Sequence, residues 1–166
     1  IYTPIIIGGV FKATGNRAPM IRYAEAPAKL AYEQIEFGRF VAAHSIPFRM
    51  NPHFPVNSLL VMRTLVGAQQ AGCLMPAVDA LMSGMWERGL DLAQPEIVAA
   101  ALNEAGLDGR ALLALADDRD VKAKLVANTD EAVTRGAFGV PTFFVGDDMF
   151  FGKERFGQVA ATIKKS

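Results

Sequence analysis

The stretch that most constrains the fold is residues 139–152, which the sequence predicts as two short β-strands joined by a tight turn. The run 142–145 is β-branched and aromatic, the run 149–151 is aromatic and apolar, and a Gly-Asp-Asp turn separates them. Pro141 cannot donate to a β-ladder, so we expect it directly before the first strand. The sequence therefore predicts a hairpin near its C-terminal end.

The peptide bond between Val140 and Pro141 has two interpretations. A cis bond would turn the carbonyl and N–H of Val140 outward, where they can pair with the extended backbone of a ligand. A trans bond would make Pro141 the opening of an ordinary edge strand, and trans is the commoner form of such bonds. Proline fixes its own φ and favours an extended Val140 in both cases.

Composition excludes several classes of protein. The chain has 166 residues, of which 51% are hydrophobic and 20% charged, a balance typical of a globular protein with a sizeable core. Its net charge is zero, which argues against a non-specific surface for nucleic acid or membrane. The longest apolar runs are interrupted by polar residues, so no transmembrane helix is expected.

The single cysteine and the two histidines argue against disulfide, dithiol redox and metal sites. Cys73 has no partner for an internal disulfide or a Cys-x-x-Cys redox pair, which suits a reducing, cytoplasmic compartment. We interpret Cys73 as an apolar thiol at a helix junction rather than a nucleophile. His44 and His53 do not have the spacing of a metal site, so no metal is expected.

The N-terminal segment is interpreted as a buried strand over residues 5–7, ended by two glycines and followed by a loop over residues 10–19 with at most one helical turn. In this loop, Gly15 and Asn16 favour a left-handed turn. A strand that is apolar on both faces needs neighbours on both sides. We therefore expect a strand and a helix to precede Ile1.

The middle of the chain has helical periodicity and several helix-boundary signals. One face of the first long helix, which starts near Pro27, carries Phe37, Phe40, Val41 and His44, so His44 is interpreted as a core residue. Further helices are predicted after a cap at Asn57, from Pro76 through a core Trp86 to about Arg88, and from Pro95. Another is capped by Asp108, and one runs from about Val121 to Gly136. The last predicted helix runs from Lys153 to Lys164, with an inward face made of Phe156, Val159, Ala160 and Ile163.

The order of elements is strand, loop, a block of helices, two strands and a helix. With a βα unit in front, this is the order of a thioredoxin-like α/β fold that carries a large all-helical insert. The predicted boundaries are residues 1–21 and 136–166 for the thioredoxin-like domain and residues 22–135 for the helical insert. No internal repeat or low-complexity linker interrupts this division.

Four short motifs resemble one family. They are Val-Phe-Lys-Ala-Thr-Gly-Asn at 10–16, Ile-Pro-Phe at 46–48 with Asn-Pro-His-Phe-Pro-Val-Asn at 51–57, Gly-Ala-Phe-Gly-Val-Pro-Thr at 136–142, and Met-Phe-Phe-Gly-Lys-Glu-Arg at 149–155. Together they resemble the 2-hydroxychromene-2-carboxylate isomerases, relatives of kappa-class glutathione transferases within the DsbA-like thioredoxin superfamily. The resemblance spans nearly the whole chain.

The resemblance implies a glutathione site. The implied contacts are Asn16, Val140, Phe151, Gly152, Lys153 and Glu154. Val140 would pair with the cysteinyl backbone, N–H groups at the start of the last helix would hold a carboxylate, and Glu154 would bind the α-amine. Relatives often have a small or amide residue and an aspartate where this chain has Lys153 and Glu154. Without a ligand, Asn16 is explained as a turn residue and Glu154 as a charge at a helix start.

The resemblance also implies a site for a small aromatic carboxylate. Lys12 and Arg22 would hold the carboxylate, Lys12 would lower the pKa of the glutathione thiol, and Phe54 would line the pocket where some relatives have tyrosine. From the residues alone, Lys12 and Arg22 are explained as surface cations and Phe54 as packing. The catalytic residue is unknown from this sequence, since the family serine beside the thiol would lie about thirty residues before Ile1.

The implied activity is isomerisation of 2-hydroxychromene-2-carboxylate to trans-o-hydroxybenzylidenepyruvate, or a similar step in the degradation of aromatic compounds, with glutathione as cofactor. A homodimer is expected from the resemblance, without nucleic-acid or membrane partners. Two alternatives stay open: a kappa-class-like glutathione S-transferase, and a non-catalytic thioredoxin-fold binding module.

Overall fold

The computed structural model describes residues 1–165, which are mainly helical with one two-stranded antiparallel sheet. The helices are α1 (Ile7–Thr14), α2 (Pro19–Arg22), α3 (Pro27–Ala43), α4 (Leu59–Gln70), α5 (Leu74–Trp86), α6 (Pro95–Glu104), α7 (Gly109–Leu115), α8 (Arg119–Thr134) and α9 (Phe156–Ile163). Strands β1 (Thr142–Val145) and β2 (Asp148–Phe151) lie between α8 and α9, and a 3₁₀ turn (Lys153–Arg155) precedes α9. In this described part, no helix is both long and apolar enough to cross a membrane.

The largest apolar cluster lies between α4, α5, α6 and α7. Its buried members are Val61, Leu65, Ala68, Ala77, Leu81, Leu92, Val98, Ala101, Leu102 and Leu112. Each large aliphatic side chain removed from water in this way contributes about 1.5–3 kcal/mol to the hydrophobic stabilisation of the fold. The middle of the chain therefore has an apolar core of its own.

Several helix boundaries follow the predicted local signals. The Asp108 carboxylate accepts a hydrogen bond from the N–H of Ala111 at 2.9 Å and caps α7. The side-chain oxygen of Asn57 accepts from the N–H of Leu59 at 3.1 Å, at the start of α4. Gly136, with φ of 97°, follows the end of α8 in a conformation that residues with side chains rarely adopt.

The α8 helix joins the central bundle to the N-terminal segment. Val121 and Leu125 on α8 pack with Val66 of α4 in a second buried cluster. Further along α8, the Asn128 amide donates to the carbonyl of Pro4 at 3.1 Å, and the Thr129 hydroxyl accepts from the N–H of Ile6 at 3.0 Å. These bonds fix the segment before α1 against α8.

The predicted strand over residues 5–7 and the predicted loop after it are wrong. Ile5 and Ile6 belong to no strand, and Ile7 begins α1, which continues to Thr14. Among the described residues, side chains of α8 rather than a neighbouring strand bond to the backbone around Ile6.

The predicted inward faces of α3 and α9 are also corrected. His44 is exposed at the C-terminal end of α3, where its ring contacts Phe40 with 4.4 Å between centroids. Phe156 and Ile163 of α9 are 52% and 59% exposed. Trp86, predicted to be core, is half-buried. Periodicity identified apolar faces on these helices, but no described element covers them fully.

The hairpin is confirmed, except that Asp148, predicted to lie in the turn, is the first residue of β2. Strands β1 and β2 pair antiparallel, with Thr142 opposite Phe151 and Val145 opposite Asp148. Gly146 has φ of 58° in the turn between them. Pro141 stands directly before β1, as its missing N–H requires.

Replacing Leu125 by Ala is expected to destabilise the protein by about 2–5 kcal/mol, because this side chain is 1% exposed and its loss leaves a cavity between α4 and α8. The matched control is Val126→Ala, at a position that is 50% exposed, which should cost under about 0.5 kcal/mol. Chemical unfolding of the two variants measures the difference. Equal losses would show that α8 does not stabilise the fold through Leu125.

Candidate functional site

The side chain of Asn16 connects the end of α1 to the segment before the hairpin by a hydrogen bond. Gly15, with φ of 69°, ends α1 in the predicted left-handed turn. The Asn16 amide then donates to the carbonyl of Phe138 at 2.7 Å. Its side-chain oxygen accepts from the N–H of Arg17 at 2.9 Å and from a guanidinium nitrogen of Arg22 at 3.5 Å. Two predicted site residues, Asn16 and Arg22, are thus neighbours.

Val140 presents unused backbone groups close to Asn16. Its bond to Pro141 is cis, the first of the two interpretations, and Val140 is 53% exposed. Within residues 1–165, neither the N–H nor the carbonyl of Val140 has a hydrogen-bond partner. A free donor and a free acceptor on one exposed residue are what an extended peptide backbone requires for strand-like pairing.

Gly139 allows the two sides of the site to approach closely. It is buried, and a Cβ atom there would stand 3.0 Å from Cε2 of the Phe151 ring and 3.9 Å from the Asn16 amide nitrogen. The Phe151 ring also packs on Phe138, with 4.5 Å between centroids. A side chain at position 139 would require this ring to shift by a few tenths of an ångström.

The turn after β2 supplies the charged groups. Gly152, with φ of 97°, donates its N–H to the carbonyl of Pro141 at 3.0 Å. A Cβ atom at Gly152 would lie 2.8 Å from one carboxylate oxygen of Glu154, so this carboxylate folds back over the turn. The Lys153 ammonium binds the other oxygen of Glu154 and lies 4.8 Å from the centre of the Phe40 ring of α3.

The negative charge of Glu154 is stabilised within this turn. The hydrogen bond from Lys153 lowers the pKa of the Glu154 carboxyl below its ordinary value. A backbone hydrogen bond at Glu154 and the positive charges of Lys153 and Arg155 act in the same direction, whereas partial burial opposes them. Glu154 is therefore a carboxylate at neutral pH, and its side chain is 58% exposed to solvent.

The structure does not bring Lys12 and Phe54 into this group. Lys12 is exposed in the last turn of α1, and it makes no hydrogen bond, ion pair or ring contact with any residue of the described chain. Phe54 lies in the loop before α4, where its ring contacts Trp86 with 5.8 Å between centroids. The predicted residues that do come together are Asn16, Arg22, Val140, Phe151, Gly152, Lys153 and Glu154.

An apolar cavity of about 310 Å³ lies between the start of α1 and the start of α4. Its walls are Ile6, Ile7, Gly8, Val56, Asn57, Ser58, Leu59 and Met62. None of the predicted site residues lines it, so it does not coincide with the surface around Val140.

Sequence reasoning missed two residues of this surface. Phe138 accepts the Asn16 hydrogen bond and supports the Phe151 ring, and Phe40 of α3 underlies Lys153. Phe138 lies two residues before Val140 in the motif at 136–142, so its aromatic side chain could have identified it from the sequence as a site residue. Phe40 is more than a hundred residues from Lys153, and no local pattern predicts such a pairing.

Known proteins resemble this chain along almost its whole length. Residues 1–164 match the family described as DSBA-like thioredoxin domain. A 2-hydroxychromene-2-carboxylate isomerase from Pseudomonas putida is 27% identical over 157 residues, which is 93% of this chain and 74% of that protein. The glutathione S-transferase kappa 1 of Homo sapiens is 28% identical over 175 residues, covering 95% of this chain and 74% of its own.

A solved structure of a 2-hydroxychromene-2-carboxylate isomerase superposes with a TM-score of 0.79 at 24% identity, over 99% of this chain and 79% of the other. This similarity confirms the predicted thioredoxin-like fold of the DsbA type, rich in helices and with a small sheet. The predicted division into two domains stays a prediction.

Replacing Lys153 by Met is expected to raise the pKa of Glu154 towards its ordinary value, because the hydrogen bond and the positive charge of Lys153 are lost. Titration of the Glu154 carboxyl carbon by NMR measures the shift. The control, Lys12→Met, removes a lysine that does not contact Glu154 and should leave this pKa unchanged. An unchanged pKa in Lys153→Met would show that Lys153 does not stabilise the carboxylate.

Proposed function

Because the chain belongs to the DSBA-like thioredoxin domain family, we propose that it is a glutathione-dependent isomerase. The proposed reaction converts 2-hydroxychromene-2-carboxylate, or a similar aromatic carboxylate, to trans-o-hydroxybenzylidenepyruvate or the corresponding open-chain product. Relatives named as isomerases and as kappa glutathione transferases, at 26–28% identity, support a glutathione-using enzyme. The expected homodimer and cytoplasmic location are parts of this proposal.

The observation that carries the proposal is the free backbone pair of Val140, flanked by an amide on one side and by opposite charges on the other. Glutathione is an extended peptide with two carboxylates, an α-ammonium and a thiol. Val140 offers an N–H and a carbonyl to its central backbone. Glu154 offers a carboxylate to the ammonium, and Lys153 offers an ammonium to a carboxylate. The residues present therefore fit this cofactor.

Two glycines support the fit. At Gly152, a Cβ atom would meet the Glu154 carboxylate, and at Gly139 it would meet the Phe151 ring. Both glycines therefore let groups of the proposed site pack closely beside Val140. The Asn16 amide already donates to the carbonyl of Phe138, so Asn16 fixes the position of the segment that carries Val140.

Bound glutathione supplies a thiolate nucleophile for reversible addition to the ring system of the substrate. The chain's own residues bind and orient: Val140 fixes the cysteinyl unit, and Lys153 and Glu154 fix the far end of the cofactor. Arg22 contacts Asn16 at the edge of this site, where its guanidinium would attract a substrate carboxylate. Holding both reactants in one orientation lowers the entropic part of the barrier.

A kappa-class-like glutathione S-transferase is the second candidate, favoured by relatives of that name from human, rat and nematode. The two reactions differ in their thiol balance. An isomerase returns glutathione unchanged, so free thiol stays constant while the chromene carboxylate disappears. A transferase consumes one thiol for each electrophile. Net loss of free thiol during turnover would replace the isomerase by the transferase.

The third candidate is a non-catalytic thioredoxin-fold module. Calorimetric titration with glutathione separates this candidate from both enzymes. Failure of glutathione to bind would favour the module and would contradict both glutathione-dependent activities.

Glu154→Gln is expected to weaken glutathione binding about tenfold, because the amide cannot form the charge-assisted hydrogen bond to the α-ammonium. Glu33→Gln, an exposed change on α3, is the matched control and should bind as the unmodified protein does. Calorimetry gives both affinities. If Glu154→Gln binds glutathione normally, the ammonium is not held at this turn.

A further inference from the structure

One face of the hairpin packs against the linking segment, residues 136–141, which joins α8 to β1. Residues opposite each other in an antiparallel pair share a face, as do residues two apart along a strand. By the observed register, this face carries Thr142, Phe144, Met149 and Phe151. A Cβ atom at Gly136 would lie 3.6 Å from Sδ of Met149, and the Phe138 ring packs on Phe151. The linking segment therefore runs along this face.

Arg135, the residue directly after α8, contacts the end of this face that is nearest to the hairpin turn. Its guanidinium carbon lies 3.9 Å from the centre of the Phe144 ring. Its Nη2 donates to the carbonyl of Gly146, in the turn, at 2.7 Å. Within residues 1–165, no carboxylate pairs with Arg135. The planar guanidinium thus stacks on a ring and bonds to the turn at the same time.

The backbone that carries Arg135 is fixed by the way α8 ends. The N–H of Gly136 donates to the carbonyl of Val133 at 2.9 Å, and the N–H of Ala137 donates to the carbonyl of Ala132 at 2.9 Å. These are the two hydrogen bonds of a Schellman motif. Ala137 is 4% exposed, so the residue after the motif is buried. Arg135 therefore extends from a defined point and holds the hairpin turn at a defined place relative to α8.

The proposed glutathione site has one half on each side of this contact. Val140 lies in the linking segment, which Asn16 bonds at Phe138. The turn after β2, with its two charged side chains, moves with the hairpin. The hydrogen bond from Gly152 to Pro141 joins the two halves at one end of the hairpin, and Arg135 fixes the other end. Two fixed ends determine the angle between the hairpin and the linking segment.

We propose that Arg135 is a positioning residue of the site around Val140. By holding the hairpin turn against α8, it sets the position of Glu154 and Lys153 relative to the backbone pair of Val140, and so favours a ligand that reaches both. In naming glutathione as that ligand, the inference rests on the proposed function. Arg135 itself touches no ligand. Without it the hairpin can pivot, and a ligand that spans both halves must order the hairpin when it binds.

The test compares a ligand that spans both halves with one that reaches only Val140. Cysteinylglycine keeps the cysteinyl unit of glutathione but lacks the γ-glutamyl end that Glu154 and Lys153 would hold. Arg135→Met is expected to weaken glutathione binding about tenfold and to leave cysteinylglycine binding unchanged. NMR titration measures both affinities, including weak ones. Equal losses for the two ligands, or unchanged glutathione binding, would overturn the proposal.

The matched control is Arg119→Met. Arg119 is the first residue of α8, is exposed, and makes no hydrogen bond, ion pair or ring contact with the described chain. This variant loses the same charge from the other end of the same helix and should bind both ligands as the unmodified protein does. A loss of glutathione affinity equal to that of Arg135→Met would assign the effect to net charge and contradict the role of Arg135.

A measurement without ligand separates this inference from the proposed function. Residual dipolar couplings of backbone N–H groups report the orientation of β1 and β2 relative to α8. We expect Arg135→Met to change the couplings of the strands and to keep those of α4 to α7, which also shows that the variant is folded. Unchanged strand couplings would overturn the role of Arg135 whether or not glutathione binds. Failure of the unmodified protein to bind glutathione would contradict the isomerase and the transferase, whereas changed couplings would still support positioning of the hairpin by Arg135.

Discussion

The candidate site depends on two polar side chains that are buried on α8. Asn128 and Thr129 are 3% and 5% exposed, and they bind the carbonyl of Pro4 and the N–H of Ile6. A buried amide or hydroxyl without a partner would cost about 1–3 kcal/mol, so these bonds determine where the N-terminal segment lies. The α1 helix starts directly after that segment and ends at Gly15. The position of α1 places the Asn16 amide within hydrogen-bonding distance of the carbonyl of Phe138, two residues before Val140.

Features set by local chemistry were predictable from the sequence. The cap at Asp108, the positive-φ glycine at 136 and the turn at Gly146 each involve atoms a few residues apart, and the structure has all three. The hairpin is similar, because its turn residues and its two apolar runs are local features of the sequence, whereas its register is seen only in the structure. The hydrogen bond from Gly152 to Pro141 continues that register by one residue beyond the strands.

Features set by distant contacts were not predictable. The isoleucines at residues 5–7 have the composition of a buried strand, but the N–H of Ile6 and the carbonyl of Pro4 bond to side chains of α8. The apolar faces at His44 and Phe156 were identified from spacing, and spacing does not say which element covers a face. For the site, the contact of Lys153 with Phe40 and that of Asn16 with Phe138 each join residues more than a hundred positions apart.

The pairing of Lys153 with Glu154 influences what the turn after β2 can bind. Each charge already has a partner before a ligand arrives, so a ligand with a single charge has to compete with that partner. A ligand that carries both an ammonium and a carboxylate can exchange one pair for two, because Glu154 takes the ammonium while Lys153 takes the carboxylate. The Phe40 ring keeps the lysine nearby during the exchange. In the proposed glutathione site, this turn would therefore favour the α-amino acid end of a peptide over simple anions.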